Sequence, residues 1–259
     1  MGDKFKKLFS TKSIYEIEKN LFKKNIPGFL LMMKAAYAAF NHLNINTKGE
    51  VIILCGKGNN GGDGYGLGAL LAMVGREVKI YKVEDPTKIE AKNALELCYK
   101  LGIKIKKWSK SLENSDIYVD ALLGAGINQS PREPYKTIIK HLLSKKKKGK
   151  KIIALDVPSG VDGTTGVAYN PSVIATTTIT FLAMKKGLLT GDAVDHTGDL
   201  IFENIGVSQK KVIPDAILLN KSDCNFQILK PSSHKGTRGN VLILGCLLYT
   251  SPSPRDLAV

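Results

Sequence analysis

Val51-Ile52-Ile53-Leu54-Cys55 runs directly into Gly56-Lys57-Gly58-Asn59-Asn60-Gly61-Gly62-Asp63-Gly64, and Tyr65–Val74 follows with helical spacing. A five-residue apolar run bounded by glycine reads as a strand buried on both faces. Five of the next nine residues are glycine, which costs conformational entropy in an ordered segment and so asks for a reason. Glycine-rich backbone leading into a helix N-terminus offers amides to an anion or a polar ligand. Gly56-x-Gly58-x-x-Gly61 also has the dinucleotide-binding spacing, in the strand–turn–helix setting that spacing requires. Two residues sit badly with ordinary phosphate loops. Lys57 lacks the Lys-Ser/Thr ending of a nucleoside-triphosphate loop, and Asp63 brings a carboxylate to where a pyrophosphate would lie.

Outward from this unit the pattern alternates. Ile14, Ile17 and Leu21 recur at helical spacing behind a possible Ser13 cap, Ile26-Pro27-Gly28 interrupts, and a second apolar helix runs through Phe40. Val78–Val83 is a strand, Lys88–Leu101 a helix, Asp116–Asp120 a strand, Tyr135–Ser144 a helix and Lys151–Asp156 a strand. Ile174–Phe181 and Asp199–Ile205 follow as later strands. Strands alternating with helices predict an α/β class: a mostly parallel central sheet with helices on both faces, whose functional residues lie just past strand C-termini.

Two more segments occupy such positions. Asp120-Ala121-Leu122-Leu123-Gly124-Ala125-Gly126-Ile127-Asn128-Gln129-Ser130 places a carboxylate at a strand end before a glycine turn, and Asp156-Val157-Pro158-Ser159-Gly160 does the same. Each aspartate alone would be turn chemistry; three acidic, glycine-containing turns at three strand ends predict a shared site. Asn60, Asp120 and Ser159 offer only oxygen ligands, which suit a hard cation and not zinc.

The 259 residues are 43% hydrophobic and 24% charged, an ordinary globular composition. The net charge of +15 invites a nucleic-acid partner. Only Arg76, Arg132, Arg238 and Arg255 are arginine, however, and lysine does not supply the planar fork that reads bases. The Lys145–Lys148 run with Lys150 and Lys151 reads as a solvated helix end, so no nucleic-acid partner is expected. Cys55, Cys98, Cys224 and Cys246 form no C-x-x-C pair and read as free thiols of a reducing compartment. No uncharged apolar run reaches the length of a membrane span, and the first residues lack the apolar core of a signal peptide; no membrane partner and a cytoplasmic location are expected.

The G-x-G-N-N-G-G-D-G stretch at 56–64 resembles the N-terminal domain of the YjeF family, the NAD(P)H-hydrate epimerases. The resemblance continues through D-A-L-L-G-A-G at 120–126, D-V-P-S-G at 156–160, T-I-T-F…K-x-G at 178–187 and G-D-L-I-F-E-N-I-G at 198–206, over roughly residues 13–209. It implies a Rossmann-like three-layer domain that interconverts the R and S epimers of NADH or NADPH hydrated at ring C6, with a bound potassium ion and a homo-oligomeric state. Carried over by position, Asn59, Asn60, Gly61, Gly62, Asp63, Gly124, Ala125, Gly126, Ile127, Asn128, Gln129, Ser130 and Asp156 would line the substrate, with Asp156 as the general acid/base. Asn60, Asp120 and Ser159 would hold the potassium. The chain departs from the family at Met33 and Ala36, where glutamate and glycine are usual, at Thr176 for an aspartate and at Glu133 for a glycine. A nicotinamide-binding dehydrogenase and a non-catalytic nucleotide-binding module are the alternatives.

Residues 1–209 are thus expected to form the epimerase domain and 210–229 a linker. Ser233–Gly245 resembles the opening of the family's ADP- or ATP-dependent dehydratase domain, so 230–245 is expected to be the first strand of a truncated second domain, with 210–245 poorly packed and dehydration absent. Cys246–Asp256 resembles a translated sequencing adapter, and 246–259 is expected to be a non-natural tail.

Overall fold

The computed structural model describes residues 7–109, 111–209, 211–219 and 232. In chain order the elements are β1 (Lys7–Leu8), α1 (Thr11–Phe22), α2 (Gly28–Asn46), β2 (Val51–Cys55), α3 (Asn59–Met73), β3 (Val78–Lys82), α4 (Ile89–Lys100), β4 (Lys104–Lys107), β5 (Ile117–Ala121), α5 (Tyr135–Lys147), β6 (Lys151–Leu155), β7 (Thr177–Phe181), α6 (Val194–Thr197), β8 (Asp199–Glu203) and β9 (Ala216–Ile217). Two 3-10 turns, Lys186–Leu189 and Gly191–Ala193, precede α6.

Seven strands form one sheet in the order β4-β3-β2-β5-β6-β7-β8. Every pairing in it is parallel, with Cys55 opposite Ala121 and Asp120 opposite Ala154. Alternate side chains go to opposite faces. Val51, Ile53, Cys55, Val119 and Leu155 join the core under α2, α3 and α4, whereas Ile52, Leu54, Tyr118 and Ile152 pack beneath α5. The three-layer α/β prediction holds, and the sheet is wholly parallel. From β2 the chain winds outward to β4 and then returns to β5 on β2's other side. The β2/β5 boundary is therefore the topological switch point, where the carboxyl ends of such a sheet open a crevice.

Several local expectations are corrected. Helix α3 begins at Asn59, not Tyr65, so most of the glycine stretch is helix. Its glycines form rows that allow close approach. A Cβ on Gly64 would sit 2.6 Å from the Ala121 methyl, and one on Gly66 2.8 Å from the Ala36 methyl, so α3 is pressed between the sheet and α2. Met33 also lies against Gly66; both unusual α2 residues thus belong to this helix crossing. Helix α1 is capped by Ser10, whose hydroxyl accepts from Ser13 N at 3.2 Å, and not by Ser13 itself. The lysine run is more than a solvated face: Lys146 Nζ of α5 donates to Thr176 Oγ1 at 2.8 Å, and Lys150 Nζ, in the turn after it, to Asp116 Oδ1 at 2.6 Å. Glu133, another departure, accepts from Thr137 N and caps the start of α5.

Residues up to Leu218 cohere as one unit, beyond the expected boundary at 209. Within 211–218, β9 pairs with β1 and Val212 packs against the cluster around Phe9 and Ile17, whereas Ile213 and Ile217 are exposed. Apart from 219 and 232, residues 220–259 lie outside the described residues, and so do the expected second-domain strand and tail. Among the described residues no helix is long and apolar enough to cross a membrane.

Candidate active site

Three strand ends meet along the carboxyl edge of the sheet. Gly56 N, leaving β2, donates to Ala121 O at 2.9 Å and ties the glycine turn to the end of β5. Helix α3 then starts from Gly58, whose carbonyl accepts from Gly62 N at 3.1 Å; the amides of Asn59, Asn60 and Gly61 are left without intrahelical partners. Asn59 is exposed there, while Gly61 and Gly62 are buried against Gly56 and against Met32 and Ala91, respectively.

Asn60, Asp120 and Ser159 do come together. Ser159 Oγ donates to Asp120 Oδ1 at 2.6 Å, and Ser159 N donates to Asp120 Oδ2 at 2.8 Å. The turn after β5 links the third member: Leu123 N donates to Ser159 Oγ at 2.9 Å, and Asn60 Nδ2 donates to Leu123 O at 2.9 Å. Asp120 is fully buried, and burial pushes its carboxyl up to about 6 against the opposing pull of the Ser159 and Leu122 bonds. Asn60 Oδ1 is also buried and has no hydrogen-bond partner among the described residues. A buried carboxylate without a cationic partner and an orphaned amide oxygen are both expensive. The oxygen-only donor set fits a hard cation, potassium included.

Asp156 follows β6 in a left-handed conformation, φ 67°, that non-glycine residues rarely adopt. Val157 N donates to Leu155 O at 2.8 Å, closing a tight three-residue turn around it. The neighbouring strand β7 ends the same way, with Leu182 at φ 69° and Ala183 N donating to Phe181 O at 2.7 Å. Adjacent strands β6 and β7 thus both end in a tight turn with a left-handed central residue. Three residues beyond the second turn, Lys185 reaches back: its Nζ pairs with Asp156 Oδ1 and donates to Phe181 O at 2.9 Å, and its side chain is only 2% exposed.

Further acidic and phenolic groups surround this pair. Asp63, on the first turns of α3, is held well above the ordinary carboxyl range by burial and by Asp156 and Glu18, with Lys185 acting the other way. Glu18, from α1, is raised by burial and by Asp156, again opposed by Lys185. The phenol of Tyr15 is raised by burial, Glu18 and Asp156, and it stands over Gly126, where a Cβ would lie 3.0 Å from its hydroxyl. Of the 124–130 loop, Gly124, Ala125 and Ile127 are half-buried, and Gly126 and Asn128–Ser130 are exposed. Ala125 O accepts from Thr11 Oγ1 at 3.1 Å, which anchors α1 over the loop.

A profile described as YjeF-related protein N-terminus matches residues 29–187. The chain belongs to the YjeF N-terminal family. Among its relatives is the bifunctional NAD(P)H-hydrate repair enzyme Nnr of Coxiella burnetii, 32% identical over 249 residues, covering 92% of this chain and 50% of that protein. The Nnr enzyme of Escherichia coli is 37% identical over 227 residues, covering 83% of this chain and 43% of the relative. The chain thus spans about half the length of the relatives it matches. The crystal structure of yeast ynu0, YNL200c, shares the fold, with a TM-score of 0.63 at 22% identity over 76% of this chain and 87% of that one.

Within this YjeF domain, sequence reasoning missed Tyr15, Glu18 and Lys185. Lys185 stands in the K-x-G motif at 185–187, which marked its position without a role. Glu18 gave no signal, because it lies on the polar side of an amphipathic helix beside other charged residues.

Proposed function

We propose that this chain is an NAD(P)H-hydrate epimerase, interconverting the R and S forms of NADH or NADPH hydrated at C6. The observation that carries the reading is the Asp156–Lys185 pair, with Asp63 within its electrostatic reach, at the carboxyl edge of a sheet whose family relatives are named for repairing that compound. The epimerisation needs one carbon to lose its configuration and regain it. One route breaks the C6–O bond as the hydroxyl takes up a proton and leaves as water, with the ring nitrogen's electrons forming C=N. Water then adds from the other face and gives up a proton. The alternative opens and recloses the ring at C6. Both require a proton donor and an acceptor beside one carbon, and we assign Asp156 to that role. The free amides at the start of α3 and the 124–130 loop would receive the phosphates and ring of the substrate.

Asn60, Asp120 and Ser159 would hold potassium. Bound there, the ion supplies positive charge that offsets the buried Asp120 carboxylate and fixes the turns after β5 and β6. A cytoplasmic location and a homo-oligomeric state belong to the same proposal. The test follows both hydrate epimers by chromatography or NMR, with potassium and with a large organic cation in its place. The wild-type chain equilibrates them, and Asp156→Asn, folded and potassium-loaded, loses the activity at least a hundredfold, in the range usual for a general acid/base. Full activity in that variant removes Asp156 from the chemistry.

A further inference from the structure

Three carboxyls, Asp156, Asp63 and Glu18, stand close enough to influence one another, and the buried Lys185 ammonium is the cation acting on all of them. It does not divide itself equally. Among the described residues its ion pair is with Asp156 alone, and a second hydrogen bond to Phe181 O fixes its direction. Asp156 also accepts a bond from Phe181 N at 3.4 Å. Asp63, by contrast, makes no ion pair or side-chain hydrogen bond among the described residues. Like charges in one cavity cannot all remain ionised, so a cation bound to one of them decides which keeps its charge.

We propose that Lys185 is a positioning residue that commits Asp156 to the ionised, proton-accepting form and leaves Asp63 as the protonated partner that donates. This rests on the epimerase reading and adds a division of labour to it. In the hydroxyl-loss route, the Asp63 proton passes to the leaving C6 oxygen, the C6–O bond breaks and water departs. Water then adds to the opposite face, and its surplus proton goes to Asp156. The proton gained by Asp156 equals the one lost from Asp63, and exchange with solvent restores the starting pair. Lys185 from the turn after β7 contacts Asp156, and Asp63 from α3 and Glu18 and Tyr15 from α1 are near enough to feel its charge. Of these only Lys185 carries a fixed positive charge, so the acid limb of the rate profile reports on its contact.

The test measures kcat/KM against pH from 5 to 9, using the separated NADH-hydrate epimers. It compares the wild-type chain with Lys185→Met, Lys185→Arg, Asp156→Asn and the Lys185→Met/Asp156→Asn double variant. Lys185→Met is expected to move the acid limb upward by about one to three pH units, the usual effect of removing an adjacent opposite charge. A limb moved to about pH 7 lowers the rate at pH 6 about tenfold, with KM changed less than about threefold. Lys185→Arg keeps the limb near its original place, and the double variant is no slower than Asp156→Asn. An unmoved acid limb in Lys185→Met, or an added loss in the double variant, overturns the inference. If Lys185→Met fails to fold, carboxyl-carbon NMR titration of the wild-type chain decides. Asp63 protonated while Asp156 is ionised supports the assignment, and the reverse order refutes it. Full activity in Asp156→Asn refutes the acid/base reading itself, whereas an inactive Asp156→Asn beside an unshifted Lys185→Met refutes only the role of Lys185.

Discussion

The five glycines of residues 56–64 are not equivalent, and alanine substitution should separate them. A Cβ on Gly61 would fall on the carbonyl of Gly56, with the carbonyl carbon 2.7 Å and the amide nitrogen 3.0 Å away. That carbonyl cannot swing aside, because Gly56 N is bonded to Ala121 O and the turn is pinned between β2 and β5. Accommodation needs backbone to retreat by about 1 Å in a close-packed crossing, so Gly61→Ala should cost more than about 3 kcal/mol, the upper end of overpacking penalties. Gly58 is the opposite case. Nothing lies within 4 Å of its virtual Cβ, and its φ of −91° suits any residue. Alanine is a poorer N-cap than glycine, but it also lowers the entropy of the unfolded chain; the two effects offset to within about 1 kcal/mol. Urea unfolding followed by far-UV circular dichroism measures both. With a slope of about 2–3 kcal/mol per molar for a domain of this size, Gly61→Ala should lower the midpoint by about 1 M or more, and Gly58→Ala by less than about 0.5 M. If the glycines served only to admit a ligand, both variants would fold alike and differ in substrate affinity. Equal midpoints would therefore refute the packing argument.

Asp120 makes a prediction whose sign is unusual for an acid. Its folded pKa of about 6 lies above its ordinary 3.8, so the native state holds a proton that the unfolded chain has released between those values. Stability from this group is full below pH 4 and falls by about 3 kcal/mol as pH rises through 6. In potassium-free buffer the wild type should lose stability over that window relative to Asp120→Asn, and potassium should return much of it to the wild type alone; parallel curves for the two chains would contradict this. Asp215 has the ordinary sign. Partial burial opposes ionisation, but bonds from Ser10 N at 2.8 Å and Ser13 Oγ at 2.7 Å prevail and hold the carboxyl below its usual value. Its contribution is present above the unfolded pKa and is lost as pH falls. Asp215→Ala should cost about 1–2 kcal/mol at pH 7, read as a thermal shift that narrows in acid.

The local sequence carried the main architecture. The apolar runs at 51–55 and 152–155 fit strands of a covered parallel sheet, and Asp120 and Asp156 at strand ends marked the edge where a site would form. Strand β4 was missed because Lys-Ile-Lys-Lys at 104–107 is an edge strand, charged and half-exposed, with no apolar run to betray it. The start of α3 was misread because glycine is a poor helix former, and its use here depends on α2 and the sheet lying within van der Waals reach.

The candidate site divides along the same line. Asn60, Asp120, Ser159 and Asp156 were legible because each sits beside its own turn, and turn chemistry is local. Lys185, Glu18 and the anchoring of α1 by Asp215 were not. Lys185 meets Asp156 across 29 positions of chain, and Asp215 reaches Ser10 across 205. Such pairings leave no periodic trace in sequence, since they are set by which strand ends and helix starts the fold brings together. The residue types and spacing determined the parallel sheet and the edge that carries the chemistry. Only the tertiary structure decided which carboxyl receives the buried ammonium, because proton affinity depends on neighbours in space and not along the chain.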